Sequence, residues 1–333
     1  MAVINVTPLT DITALIASDG VNEGDVLFLE EGIYLQTVII PKNNIRVVAK
    51  GPKVIFDGKG TLITAFTLSN VTGVLIEGIN IRQYRTNGIV LDGGSGNRIV
   101  KNTINNINTY GIEMLASNNN LIWKNEICSA RSGAGIRTSQ ASANNWIIDN
   151  TVKDSTYGFQ NSADSSNNSY ISNLAINNRT ADFDIGGSNI LLLDNLSIGS
   201  RNQGIVLTNG SNNVVIGNTV KSSRSNGISI TGQINLFTAE NHIECARQAG
   251  ISYLGQFGTF LSNEISHCGN NGITLSSSIN NLVMDNKLVC NIPVNINNSG
   301  TDNVLINNIE KPCGPCEAPS DVCDDCTDKA DNS

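Results

Sequence analysis

The sequence predicts an all-β solenoid of roughly twelve stacked coils with a short capping helix at its N-terminal end. Three observations carry this prediction. The first is a recurring phrase, asparagine two residues before an aliphatic side chain, at Asn102, Asn125, Asn150, Asn218, Asn241, Asn263 and Asn286. Looser copies at Asn173, Asn195 and Asn308 complete a series of ten asparagines spaced 22 to 25 residues apart. The second is a glycine anchor at Gly88, Gly111, Gly135, Gly158, Gly204, Gly227, Gly250 and Gly272, with Asp182 and Pro293 in the equivalent place. An apolar residue follows each anchor and another comes two positions later, as at Ile112 and Met114, which is the alternation of a strand. The third is composition: only 15% of residues are charged and 5% aromatic, and Asn, Ser, Gly, Ile and Val fill much of the rest. Such residues make short strands and turns rather than helices.

Each unit is too short for a pair of helices and holds about three strands, so equivalent strands stack into parallel sheets at about 4.8 Å per coil. Twelve coils give a length on the order of 55 Å. In chain order, residues 8–19 form the best helix, with Ile12, Leu15 and Ile16 on one face and Thr10 or Asp11 as the cap. Residues 24–34 read as strand, turn and strand, and residues 43–60 continue with alternating apolar positions. The divisions are an N-terminal cap over 1–23, the solenoid over 24–311 and an acidic, cysteine-rich tail over 312–333.

Counting by twos assigns faces. The ladder asparagines are expected in a turn that tolerates left-handed backbone, each side-chain amide bonding to its copy above and below. The residues two before them (Val100, Trp123, Ile148, Leu193, Ile216 and Met284 among others) are then expected inward. Their neighbours Ile99, Ile122, Ile147, Tyr170, Leu192, Val215, Phe260, Val283 and Leu305 are expected outward, as an apolar stripe that would let copies of the chain associate.

The net charge is −8, and six acids against one lysine in residues 312–333 account for about −5 of it. The remainder is near neutral and lacks a basic stripe, which argues against nucleic acid. No apolar run approaches the length of a membrane-spanning helix, and the N-terminus does not read as a signal peptide.

The period, the anchors and the opening GDVLFLEEGIY…NNIRVV…VIFDGKG resemble right-handed parallel β-helix proteins of the pectate-lyase-like and NosD-like kind, over about residues 8–310. The resemblance implies that fold, which serves lyases, hydrolases, epimerases, phage tailspikes and passive surface proteins alike. It also implies a site on an outer sheet face. The outward column Val90, Glu113, Arg137, Gln160, Asp184, Val206 places Glu113, Arg137 and Asp184 as candidate catalytic groups with Gln160 beside them. Tyr110 and Tyr157, just before their glycines, are placed to stack on a sugar. An arginine column three residues before the anchor contains Arg85, Arg179, Arg201, Arg224 and Arg247, with Arg131 one residue out of register, and offers point charges to an acidic polysaccharide.

TYGIEM (109–114) and TYGFQN (156–161) are distantly similar to the tyrosine-glycine segment of mannuronan epimerases, without its acidic-Pro-His-Asp continuation. A lyase of the pectate kind would use Ca2+, for which Asp182, Asp184 and Arg179 are a sparse group. The two histidines do not suggest a metal site.

Cys245, Cys268 and Cys290 recur on three successive coils and read as a buried stack. In the tail, Cys313, Cys316, Cys323 and Cys326 offer either disulfides or four thiolates for Zn2+. The leading functional expectation is a non-catalytic β-helix of a bacterial surface, envelope or spore coat, needing no cofactor, that self-associates or binds carbohydrate and cross-links through its tail. The alternative is a polysaccharide lyase or epimerase acting at Glu113, Arg137 and Asp184.

Overall fold

The computed structural model describes residues 1–313 and is almost wholly β. Cys316, Cys323 and Cys326 lie outside the described residues. The chain divides after Ser169 into two compact units. Each is a parallel β-solenoid, and the chain makes about 13 turns in all. Every turn contributes to three sheets. A front sheet is built of the longer strands that begin near the glycine anchors, such as Tyr110–Leu115. A flank sheet has mostly three-residue strands such as Leu121–Trp123, and a back sheet follows the asparagines with strands such as Glu126–Ala130. Neighbouring strands are parallel throughout, with registers such as Ile112 against Ile136 and Glu113 against Arg137.

The N-terminal helix is shorter than expected, Ile12–Ala17, and Asp11 caps it by accepting from the Ala14 amide at 3.0 Å. Ile12 and Ile16 are buried. The first rung begins before the helix: Val3–Val6 pairs with Val26–Leu29, so part of the expected cap region is already flank sheet.

The asparagine ladder forms as expected. In the first unit Asn102 and Asn125 each donate a backbone amide to the side-chain oxygen of the next asparagine, Asn125 and Asn150, at 3.0 and 2.9 Å. In the second unit the chain of such bonds runs unbroken from Asn195 to Asn308. A further ladder of Asn97, Asn120, Asn145 and Asn168 lines the other end of the flank strands in the first unit.

The left-handed residue of the turn is not the asparagine but the one before it: Lys101, Lys124 and Asp149 have φ of 51°, 55° and 52°. That residue reverses the face assignment. A left-handed residue breaks the two-residue alternation, so counting back from an inward asparagine across it gives the wrong face. Ile99, Ile122, Ile147, Tyr170, Leu192, Val215, Phe260 and Val283 are therefore core, all at 1% exposure or less, and are not an outward stripe. Trp123, Ile148, Leu193, Ile216 and Met284 face out. Leu305, on the last flank strand, is 40% exposed.

Two further registers shift. Ile296 pairs with Ile273, so Asn295 stands at the glycine-anchor position rather than Pro293. Hydrogen bonds from Arg131 to Ile107 and from Asn108 to Tyr84 put Arg85, Asn108 and Arg131 in a single column, so Arg131 is in register after all. The extra residues of its 25-residue coil fall after it.

The glycine anchors are a packing requirement. A Cβ on Gly111 would lie 2.6 Å from the Gly135 carbonyl oxygen and 2.7 Å from Ile127 Cγ2. At this position the front strand passes directly over the back-sheet core.

Cys245, Cys268 and Cys290 are buried as expected, but two of the three are in disulfides. Cys290 is disulfide-bonded to Cys313, with Cα atoms 4.1 Å apart, and Cys245 is also in a disulfide. Cys313, just after the last strand, Ile309–Lys311, is thus tied to the preceding rung. Cys268 remains a buried free thiol, and burial pushes its pKa up to about 12.

Candidate functional site

In the first unit the front sheet places Glu113 and Arg137 opposite one another on adjacent strands, Tyr110–Leu115 and Ala134–Ser139. Glu113 is nearly covered, at 7% exposure, although it sits in an outward column. Its Oε2 accepts from Asn87 Nδ2 at 2.9 Å, and its Oε1 lies 3.7 Å from Arg137 Nη1. Arg137 lies over the Tyr110 ring, its Cζ 4.8 Å from the centroid, and Nη1 donates to the tyrosine hydroxyl. The buried Arg137 Nε has no hydrogen-bond partner. Asn87 closes the cluster by accepting from the Tyr110 backbone amide at 3.3 Å.

Burial raises the Glu113 pKa above the ordinary value, since a covered carboxylate loses its hydration. Arg137 and the Asn87 hydrogen bond pull it back down, and Asp92 adds a smaller upward push. The cluster thus holds a cation and a carboxyl of raised proton affinity side by side, a pairing that can anchor an acidic group or exchange a proton.

Tyr157 is two rungs from Tyr110 in the same column, with the small Ala134 between them, and Gln160 stands opposite Arg137. Asp184, Arg179, Arg201 and Arg224 belong to the second unit. There Asp184 faces out from the front strand, and the three arginines are exposed in the turns between back and front sheets. Asp182 is parted from Asp184: it is fully buried, accepting from Asn178 Nδ2 at 2.8 Å and from the Ser197 hydroxyl. The two aspartates therefore do not share a cation. Among the described residues no cluster of three carboxylate, imidazole or thiol groups is placed to hold a metal ion.

Beside the Tyr110 end of the front sheet, the turns form an open cavity of about 500 Å³. It is lined by Lys59, Arg85 and Arg131 with the amides of Gln83, Asn106 and Asn108 and the buried Tyr84. Among the described residues that line it there is no carboxylate, and Lys59 is paired with the buried Asp57 at 3.3 Å. Arg85 and Arg131 occupy one column two rungs apart, a separation of about 10 Å between backbone positions.

The parallel three-sheet stack is what comparisons with known proteins recognise. Residues 62–176 match the family model for the right handed beta helix region. The fold is a right-handed parallel β-helix. No curated protein matches the chain. Among solved structures, a mannuronic acid specific family 6 polysaccharide lyase from human gut microbiota is similar at 15% identity, with a TM-score of 0.70 over 92% of this chain and 82% of that one. A family 6 polysaccharide lyase from Pseudopedobacter saltans gives 14% identity and a TM-score of 0.71 over 96% of this chain and 94% of that one. Tailspike protein 3 of bacteriophage CBA120 gives 13% identity and a TM-score of 0.58 over 85% of this chain and 56% of that one. At these identities the likeness is one of fold.

Sequence reasoning singled out Glu113 and Arg137 because they fall in an outward column, and Tyr110 because it precedes a glycine anchor. It missed Asn87, whose position at the start of the Asn87–Asp92 strand puts it in the Tyr110 column. It also missed the cavity, since Lys59, Gln83, Asn106 and Asn108 share no repeat phrase. Lys59, Gln83 and Asn106 share a left-handed backbone, with φ of 51°, 58° and 55°, that no common residue type announces.

Proposed function

We propose that the protein is a carbohydrate-binding β-helix, without catalytic activity, that holds an acidic polysaccharide against the turn edge of its first unit. The observation that carries this reading is the cavity that brings Lys59, Arg85 and Arg131 together with three side-chain amides. Guanidinium groups pair with carboxylates in a planar, two-bond geometry, and amides satisfy sugar hydroxyls. Arg137, held over Tyr110, presents a further guanidinium on the adjoining front sheet. The interlocking of Glu113 with Asn87 and Arg137 supports a positioning role for the carboxyl. The fold's company of polysaccharide lyases is consistent with this class of ligand.

Affinity electrophoresis in gels containing polymannuronate, polygalacturonate or a neutral glucan tests the proposal. Retardation by the acidic polymers is expected, with Arg85→Ala combined with Arg131→Ala weakening it on the order of 10-fold or more. Equal retardation by the neutral glucan, or none by any polymer, would refute it.

The raised Glu113 pKa favours a second reading, a lyase or epimerase in which Glu113 exchanges a proton and Arg137 holds the uronate carboxylate. Unsaturated products or C5 inversion that vanish in Arg137→Ala would establish that reading, and their absence with and without Ca2+ leaves binding alone.

A further inference from the structure

The outer face of the flank sheet in the second unit carries no charge. Its six strands run from Leu191–Leu193 to Val304–Ile306, and each directs its middle residue into the solenoid or toward its end. The two flanking residues of each strand, twelve in all, point the other way. Eleven are apolar, including Leu193, Ile216, Phe237, Leu261 and Met284, and the twelfth is Thr259. All but the small Ala239 are at least partly exposed.

The back sheet of the same unit shows what solvent-facing positions otherwise hold. There Lys221 pairs with Glu244 at 3.7 Å, and Lys287 pairs with Glu264. Parallel sheets are stable when both faces are covered, and among the described residues nothing covers this apolar face. It is also backed along one end by the asparagine ladder from Asn195 to Asn308, a side-chain ladder of the kind that keeps a sheet flat.

Six strands at about 4.8 Å spacing expose on the order of 400 Å² of apolar surface, the size of patch that marks an interaction site. A standard interface buries about 800 Å² per partner, with an apolar centre and a polar rim, so this face supplies the centre of one. A sugar is a poor occupant, because Thr259 is the only side chain on the face that can bond to hydroxyls.

The rim fixes the orientation. The turn after the strands is acidic at Asp194, Glu240 and Asp285. The opposite edge carries Asn189, Asn212, Asn235 and Asn280, with Phe257 and Asp302 in the same column, and the first three asparagines bond along the stack at 3.4 and 3.3 Å. A two-fold axis parallel to the stacking direction reverses the strands and sets each acidic rim against an asparagine rim. An axis parallel to the strands sets acid against acid.

We propose that this face joins two copies of the chain, flank sheet on flank sheet, about a two-fold axis parallel to the stacking direction. The residues differ from the stripe that the sequence put forward, since that stripe is core. The interface is independent of the glycan site and is non-covalent.

Sedimentation velocity on the full chain, with and without reductant, tests it. The expected result is a species of about twice 35.4 kDa under both conditions. Leu193→Asp or Met284→Lys, each placing a charge at the centre of the contact, should raise the dissociation constant on the order of 100-fold with circular dichroism unchanged. Ile216→Thr, which keeps the β-branch, serves if the charged variants do not fold. Lys221→Glu on the back sheet should leave the dimer intact. A monomer at every concentration, a dimer lost only on reduction, or a dimer that survives Leu193→Asp and Met284→Lys together would overturn the proposal.

Discussion

Asp182 occupies a position that most other coils give to glycine, and it is wholly buried with Asn178 and Ser197 as its partners. Burial pushes its pKa up to about 7, against the downward pull of those hydrogen bonds. The folded protein therefore binds this proton more tightly than the unfolded chain, whose aspartate titrates near 3.9. The stabilisation is fully present below about pH 4 and is lost as pH rises through about 7. Asp182→Asn keeps the hydrogen-bond geometry without the charge. Thermal melts should find the variant more stable than the parent at pH 8 and the gap closed at pH 4. A gap that is constant with pH would show that Asp182 does not titrate in this range. The sequence marked this residue as an irregular anchor and as one of a sparse Ca2+ group, not as a buried acid. Its partner Ser197 stands on the next turn of the back sheet, between the apolar Ala175 and Val220 of the same column.

At the scale of the element, the asparagine ladder ties each turn to its neighbours. Asn125 Nδ2 donates to the Ile99 carbonyl at 2.8 Å, and its Oδ1 accepts from the Asn102 backbone amide at 3.0 Å. Asn125→Leu leaves both groups buried and unpaired at a cost of about 1–3 kcal/mol each. Urea denaturation should therefore show a loss of at least about 2 kcal/mol in the first unit, and a loss below about 0.5 kcal/mol would mean that water or backbone shifts replace the bonds.

The ladder and its period are legible in sequence because every coil repeats the same demand for an amide at a buried turn. The facing of the flank strand is not, because Lys101, Lys124 and Asp149 have no shared chemistry that announces their left-handed backbone. One such residue exchanges Ile122 and Trp123 between core and surface.

For the molecule as a whole, a net charge of −8 opposes a polyanionic ligand at long range. Glycan binding must then rest on close contacts at Lys59, Arg85 and Arg131, whose charges are screened beyond about 8 Å at physiological ionic strength. In the same gels, added salt should weaken retardation of the parent protein and have much less effect on the Arg85→Ala, Arg131→Ala variant. Equal salt sensitivity in both would place the glycan elsewhere.

The sequence by itself determined the coil, its period, the parallel stacking and the outward column holding Glu113 and Arg137, because those features are demanded again at each turn. The tertiary structure alone decided which apolar column is core, that Arg85 and Arg131 share a column and a cavity, that Asn87 holds Glu113, and that Cys290 pairs with Cys313. Each of these depends on a single turn conformation or on contact between residues on different turns. A period repeated many times averages over such local events, whereas chemistry depends on the individual turn.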